Sequence, residues 1–232
     1  MGKCTEKAAN KYRYERKFIV SGLSPDQMVT AIKLHPAMFR EIYHRRCVNN
    51  IYFDTFEMKS YYENVDGESN RTKTRIRWYG DLLASIEKPV LELKIKRGCL
   101  GTKKSYVLKP FSMNSDLNAS TIKQVFSSSD IPDALKMRLV LLQPTLVNRY
   151  ERLYYQAADG HCRLTLDSYM EFYSVNNYQN SFLHKCSDMN NLVLELKYDR
   201  GKDGLVDNIA QQFPVRMTKN SKYLNGVDCL VL

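Results

Sequence analysis

Arg75 and Arg77 stand two residues apart in "RTKTRIRWYG", residues 71–80. On a strand they share a face, and two guanidinium forks side by side suit bidentate contacts to phosphate oxygens. In "VLELKIKRG", residues 90–98, Glu92, Lys94 and Lys96 point one way and Leu91, Leu93 and Ile95 the other. A near copy, "LVLELKYDRG", carries Glu195 and Lys197. The chemistry that fits these types is phosphoryl transfer. Lysines and arginines neutralise a triphosphate and its transferring group, while Mg²⁺ or Mn²⁺ on a carboxylate bridges the oxygens. The sequence contains no Walker A motif and no G-x-G-x-x-G loop, so a glycine-rich loop does not hold the phosphates.

Strands must position such residues. "YRYERKFIV" (12–20) is predicted as the first, with Arg13, Glu15 and Lys17 on one face. A helix over 24–35 follows, with Ser24 as N-cap and Pro25 in its first turn. Residues 48–55 read as a strand, 56–67 as a short helix or turn ended by Gly67, and 71–80 as a strand stopping at Gly80. "KKSYVLK" (103–109) pairs with 90–98 across "GCLG". Helices over about 115–128 and 131–142 precede strands at 144–157 and 161–173. Then come a polar loop (174–191), the second E-L-K strand, a helix over 203–213 and the closing "VRMTKNSKYL". Lys73, Arg75 and Arg77 share a face; so do Asn148, Tyr150 and Arg152, then Arg163, Thr165 and Asp167.

For any one strand, a solvated face over an apolar back is the commoner explanation of this alternation. Six strands with cation-rich faces and a few acids argue for more. If the sheet closes, these faces line a lumen and the helices pack outside, giving an α+β fold built on an antiparallel barrel. Such a lumen repels itself unless an anion occupies it, so the two E-L-K strands face a polyanion. Trp78, on the opposite face from Arg75 and Arg77, belongs to the core. Tyr52, Tyr61, Tyr62, Tyr154 and Tyr155 read as packing.

The composition agrees. The 232 residues carry 35 Lys plus Arg against 25 Asp plus Glu, a net charge of +10 that calls for an anionic partner. Basic residues on alternating strand positions with apolar backs fit nucleic acid less well than a basic surface interleaved with exposed aromatics. The longest apolar run, "LVLL" at 139–142, is too short to span a membrane, and the first seventeen residues contain no apolar h-region. Glu6 stands where a myristoylation motif on Gly2 needs Ser or Thr. The six cysteines (Cys4, Cys47, Cys99, Cys162, Cys186, Cys229) are scattered, as expected of reduced thiols in a cytoplasmic protein. The four histidines have no metal-ligand spacing. No linker divides the chain, and residues 1–232 are predicted to form one domain.

Taken in order, "YERKFIV", "NIYFDT", "TRIRWYG", "LELKIKRG", "NRYERLYY", "RLTLD", "LVLELKY" and "TKNSKY" resemble the vacuolar transporter chaperone (VTC) domain, a branch of the triphosphate tunnel enzymes, across residues 12–224. The resemblance implies an antiparallel tunnel barrel that transfers the γ-phosphate of ATP onto a growing polyphosphate chain with Mn²⁺ or Mg²⁺. It implies Lys17, Arg75, Arg77, Lys94, Arg152 and Arg163 as catalytic phosphate ligands. Lys103 (or its neighbour Lys104), Tyr150, Lys197, Lys219 and Lys222 become substrate-binding, and Glu195, with Glu92 and Glu15, holds the metal. Asp167 partners a tunnel cation or the metal. Hydrolytic relatives begin with E-x-E-x-K, whereas these positions here are Arg13, Glu15 and Lys17. The lost carboxylate favours the polymerase branch over a triphosphatase or a non-catalytic polyphosphate-binding module. Relatives with membrane units imply a separate membrane protein partner, to which this cytoplasmic chain would be peripheral.

Overall fold

Period-two alternation along most of the chain yields strands, with helices where apolar residues recur at three and four. The computed structural model describes residues 13–98, 100–176, 180–199 and 203–231. Gly2, Cys4, Tyr12, Cys99 and the middle of the 174–191 loop lie outside them. In order come β1 (Arg13–Ser21), α1 (Pro25–Lys33), β2 (Arg40–Asp54), α2 (Lys59–Val65), β3 (Asn70–Tyr79), β4 (Ala84–Ile86) and β5 (Val90–Arg97). Next are β6 (Leu100–Val107), β7 (Phe111–Met113), α3 (Ala119–Ser128), α4 (Asp133–Leu139), β8 (Gln143–Gln156) and β9 (Cys162–Ser174). The chain ends with β10 (Lys185–Asp188), β11 (Asn191–Asp199), α5 (Asp203–Gln211) and α6 (Lys222–Val231).

Ser24 and Gln27 form a reciprocal capping box at α1, with proline in its first turn. Gly67 (φ 75°) and Gly80 (φ 99°) turn the chain after α2 and β3 in the left-handed region, where a side chain is disfavoured. Three strand features differ from the sequence reading. β2 begins at Arg40, because pairing with β8 extends it through the largely exposed segment "REIYHRRC", which has no apolar alternation. The three-residue strands β4 and β7 pair only with each other, and β10 pairs with β9 inside the expected loop.

The main sheet is antiparallel in the order β1-β11-β9-β8-β2-β3-β5-β6, with β10 attached to β9. Its edge strands β1 and β6 approach one another, and Lys94 Nζ on β5 reaches Glu15 Oε2 on β1 at 2.6 Å. Among the described residues no ladder joins β1 to β6, so the structure shows a curled antiparallel sheet with helices, the coarser part of the expected barrel, without its closure. Lys103 and Lys104 charge the β6 edge, and charged side chains are a common device against edge pairing.

Apolar strand backs pack outward as expected. Met28 and Ile32 of α1 and Val206 and Ile209 of α5 cover Phe18, Leu164 and Leu194. Ile122 and Phe126 of α3 and Leu135 of α4 cover Ile51, Ile76, Trp78 and Leu91. Helix α6 is the exception to helices outside: Tyr223 and Val227 pack onto the polar side of the sheet, against Tyr52, Leu146, Tyr150, Met170 and Phe172. Gly226 permits this close approach, since a Cβ there would sit 2.5 Å from both Leu146 Cδ2 and Phe172 Cδ1. Cys186 on β10 and Cys229 on α6 form a disulfide pair, with Cα atoms 6.0 Å apart. This corrects the expectation of thiols throughout; Cys47 and Cys162 are free. No described helix is long and apolar enough to cross a membrane.

Candidate functional site

Register brings the charged faces together on the inner side of the curled sheet. Arg75 lies opposite Glu92, Lys73 opposite Lys94, Lys94 opposite Lys103, and Lys17 opposite Glu195. Four carboxylates organise the cations. Glu92, 5% exposed, accepts from Arg75 Nη2 (2.7 Å) and Arg75 Nε (2.9 Å) on one oxygen and from Lys103 (2.8 Å) on the other. Arg77 Nη1 stands 3.6 Å away. Burial works to raise the Glu92 carboxyl, but Arg75, Arg77 and Lys103 outweigh it and hold it far below the usual carboxylate range. These contacts settle which lysine of "KK" faces inward: Lys103 does, and Lys104 sits opposite Leu93 on the other face.

Asp167, fully buried, grips Arg152 through both oxygens (2.5 and 2.6 Å) and takes Lys222 Nζ from the start of α6 at 2.6 Å. Burial would raise this carboxyl; Arg152 and Lys222 hold it at about 2. Glu195 pairs with Lys197 at 2.6 Å and with Lys17 at 3.3 Å. It too is held well below its ordinary value against burial, by Lys197, Lys17 and Arg152. Glu15, bonded to Lys94, lies near enough to Glu195 for the two charges to repel. Arg77 Nε donates to Asn50 Oδ1 (2.9 Å) and its Nη2 to the Tyr150 hydroxyl (3.2 Å). Burial raises the Tyr150 phenol, but Arg152 and Arg77 bring its pKa below the ordinary value.

Lys73 is different. Its ammonium donates to Ser221 Oγ at 2.8 Å and makes no ion pair among the described residues. Burial, followed by the charges of Lys17, Arg71, Lys94 and Arg75, drives it down to about 6. Of four buried side-chain polar atoms without a hydrogen-bond partner among the described residues, two, Asn148 Nδ2 and Thr165 Oγ1, lie at this site. Both belong to residues of the inner faces of β8 and β9.

Of the residues singled out from sequence, Lys17, Arg75, Arg77, Lys94, Lys103, Tyr150, Arg152, Lys197, Lys222, Glu15, Glu92 and Glu195 converge in this cluster. Arg163 lies at the far end of β9, exposed and opposite Lys197. Lys219 is exposed and pairs with none of the four carboxylates, although the backbone on either side of it bonds Lys17. Two tyrosines read as packing belong to the site. The Tyr52 hydroxyl accepts from Arg75 Nη1 (3.2 Å), and Arg152 lies over the Tyr154 ring (5.9 Å). Period two from Asn50 and Arg152 placed both on the inner face, as it placed Lys73 beside Arg75.

A metal of the Mg²⁺ or Mn²⁺ kind takes one or two carboxylates and completes its shell with substrate phosphates and water. Glu15 and Glu195, neighbours on paired strands, fit that donor set. Both oxygens of Glu92 hold cations, and so do both of Glu195, so a metal on either carboxylate displaces a cation; Glu15, with one oxygen on Lys94, is the less encumbered of the three. No group of three or more His, Cys, Asp or Glu side chains that could hold a metal occurs among the described residues.

The family model of the VTC domain matches residues 12–231. The chain belongs to the VTC domain family. The fold of this VTC domain is similar to a candidate adenylate cyclase from Vibrio parahaemolyticus, with a TM-score of 0.55 and 10% identity over 94% of this chain and 99% of that one. It is also similar to a candidate adenylyl cyclase from Hippeastrum described as having a dominant triphosphatase activity, with a TM-score of 0.52 and 14% identity over 94% of this chain and 95% of that one. At such identities the likeness is one of fold. No curated protein matches the chain.

Proposed function

We propose that this VTC domain, one domain over residues 1–232, is a polyphosphate polymerase that moves the γ-phosphate of ATP onto a polyphosphate chain held along the inner face. The observation that carries this reading is Lys73. A half-buried ammonium among four other cations, with only a hydroxyl for company, is held below its ordinary value and is favoured in its charged form when an anion joins it. Asn148 Nδ2, a buried donor with no acceptor, adds a second demand for one.

The chain's own residues account for most of the chemistry. Glu92 and Asp167 hold the Arg75 and Arg152 guanidinium groups in place before substrate arrives, so little ordering remains to be done on binding. Arg75, Arg77 and Arg152 present forked donors to the non-bridging oxygens of the transferring phosphoryl group. Lys17, Lys73, Lys94, Lys103, Lys197 and Lys222 neutralise the phosphates on either side, and Tyr150 donates its hydroxyl. Arg163 meets the chain where it leaves the sheet. A terminal oxygen of the growing chain attacks the γ-phosphorus, the bond to the β-phosphate oxygen breaks, and ADP departs. Glu195 with Glu15 would hold a divalent metal, which would supply positive charge against the phosphates.

Triphosphate hydrolysis uses the same cations with water as the acceptor, and the fold shared with the Hippeastrum protein favours that second reading. Position 13 is arginine where the hydrolytic motif has its first carboxylate, which supports transfer to a chain. Incubation with ATP and Mn²⁺, with products resolved on a gel stained for polyphosphate and free phosphate measured in parallel, separates the two. Chains that vanish in Arg75→Ala establish the polymerase; orthophosphate without chains establishes the hydrolase. Binding without turnover would leave a polyphosphate-binding module, one that acts beside a membrane partner.

A further inference from the structure

Two residues beyond Arg77 on the inner face of β3 stands Tyr79, and two beyond Arg152 on β8 stands Tyr154. Both meet Arg46 of β2. The Arg46 guanidinium lies 4.5 Å from the centroid of Tyr43, 5.5 Å from that of Tyr79 and 5.6 Å from that of Tyr154. Tyr43 and Tyr154 meet edge to face at 5.5 Å. Register puts this cluster at one end of the cationic face: Arg46 pairs with Arg152, and Tyr154 with Thr165. Helix α6 packs at the other end, against Tyr52, Leu146 and Phe172. Arg152 in turn lies over both Tyr154 (5.9 Å) and Tyr150 (5.1 Å), so rings and guanidinium groups alternate from the cluster into the site.

The cluster leaves ring surface open. Tyr43 is 50% exposed and Tyr79 51%, whereas Tyr150 is 1% exposed. Three rings gathered round one guanidinium, two of them half bare, form a platform for a flat uncharged ring. Arg46 also has no carboxylate partner among the described residues, so its charge remains directed at the rings and at whatever rests on them. Successive inner-face residues on a strand are about 6.6 Å apart, so Tyr79 to Arg75 covers a length of the order of an extended nucleoside triphosphate.

We infer that Tyr43, Tyr79 and Arg46 form a nucleobase platform that receives the purine of the nucleoside triphosphate while its phosphates reach inward to Arg77, Arg152 and Arg75. The inference rests on the proposed phosphate site and adds to it what selects a nucleotide over a bare triphosphate. The site then has two parts: a cationic one that any chain of phosphates can fill, and an aromatic one that only the nucleotide donor occupies.

Calorimetric titration of the whole chain with ATP and, separately, with inorganic triphosphate tests this in wild type, Tyr79→Ala, Tyr43→Ala and Tyr79→Trp. Loss of a stacking ring lowers affinity for a base roughly five- to a hundred-fold. Tyr79→Ala and Tyr43→Ala are expected to lose ATP affinity by such a factor while inorganic triphosphate binds as before, which also shows that the variants are folded. Tyr79→Trp, which restores a ring, is expected to keep ATP affinity. Equal weakening of both ligands, or no weakening of either, overturns the platform and leaves the phosphate site standing. A wild-type chain that binds neither ligand overturns the phosphate site itself, and the platform with it. Weaker binding of long polyphosphate with unchanged ATP affinity makes the cluster an exit for product and equally overturns the inference.

Discussion

Glu92→Ala removes the carboxylate that three cations share. It takes away both Arg75 contacts, at 2.7 and 2.9 Å, and the 2.8 Å contact from Lys103, and leaves Arg77 without its neighbour at 3.6 Å. Breaking a buried ion pair from one side costs about 3–5 kcal/mol, because the remaining charge stays desolvated. The Arg75 side chain is 21% exposed and Lys103 more than half, so water compensates in part and the lower end, about 3 kcal/mol, applies. For a chain of this size that corresponds to a fall in Tm of about 6–12 °C. The carboxyl is depressed in the fold, so its contribution is fully present above the ordinary carboxylate range and disappears as pH falls through the depressed value. Thermal unfolding of wild type and variant at neutral pH, with and without inorganic triphosphate, measures the effect. Phosphate oxygens can replace the lost carboxylate, so saturating triphosphate is expected to shrink the deficit. A drop of less than about 2 °C, or a deficit unchanged by triphosphate, would refute the view that Glu92 holds together the cations that receive the phosphates.

Lys73 gives a proton signal: between about pH 6 and its ordinary 10.5 the amine is neutral in the free fold, so binding a triphosphate near pH 8 takes up a proton. Calorimetry in buffers of different ionisation enthalpy reads this uptake, which is expected to vanish in Lys73→Met, with wild-type affinity falling as pH rises through that window. The same depression makes Lys73 most destabilising below about pH 6, and stability relative to Lys73→Met is expected to improve as pH rises from there. Gly226→Ala drives a methyl to 2.5 Å from the buried Leu146 and Phe172, at an overpacking cost of about 1–3 kcal/mol partly offset by better helix propensity. Because α6 also carries Lys222 and follows Ser221, the variant is expected both to melt earlier and to bind triphosphate more weakly. Glu195→Gln is expected to raise the Mn²⁺ concentration needed for half-maximal turnover, as a metal titration reads directly.

Much of the site could be read from alternation alone. Once Arg75, Glu92 and Lys94 were placed on strands, period two decided their face, and register then brought them together. Trp78 fell into the core for the same reason. What escaped was long-range. Nothing local says that α6 enters the polar side of the sheet and brings Lys222 to Asp167, or that Cys186 meets Cys229 across a separation of 43 residues. β2 before residue 48 was hidden because its partner β8, and not an apolar pattern, makes it a strand. Tyr52 packs in the core as read and also meets Arg75, and Tyr154 meets Arg152, because a tyrosine serves as packing and as a hydroxyl or ring for a cation at once. Closure of the sheet depends on two edges far apart in sequence, β1 and β6, which approach one another with no ladder between their described residues, while an ion pair links β1 to the next strand in, β5.

The claim on which the rest depends is that the inner face is a polyphosphate site, and titration of inorganic triphosphate into wild type and Arg152→Ala tests it most directly. One triphosphate per chain is expected, with binding weakened by at least about a hundred-fold in the variant, since the loss of a charge-assisted fork in a desolvated site costs about 3 kcal/mol or more. Absence of binding in a folded wild type, or equal affinity in the two proteins, would contradict it.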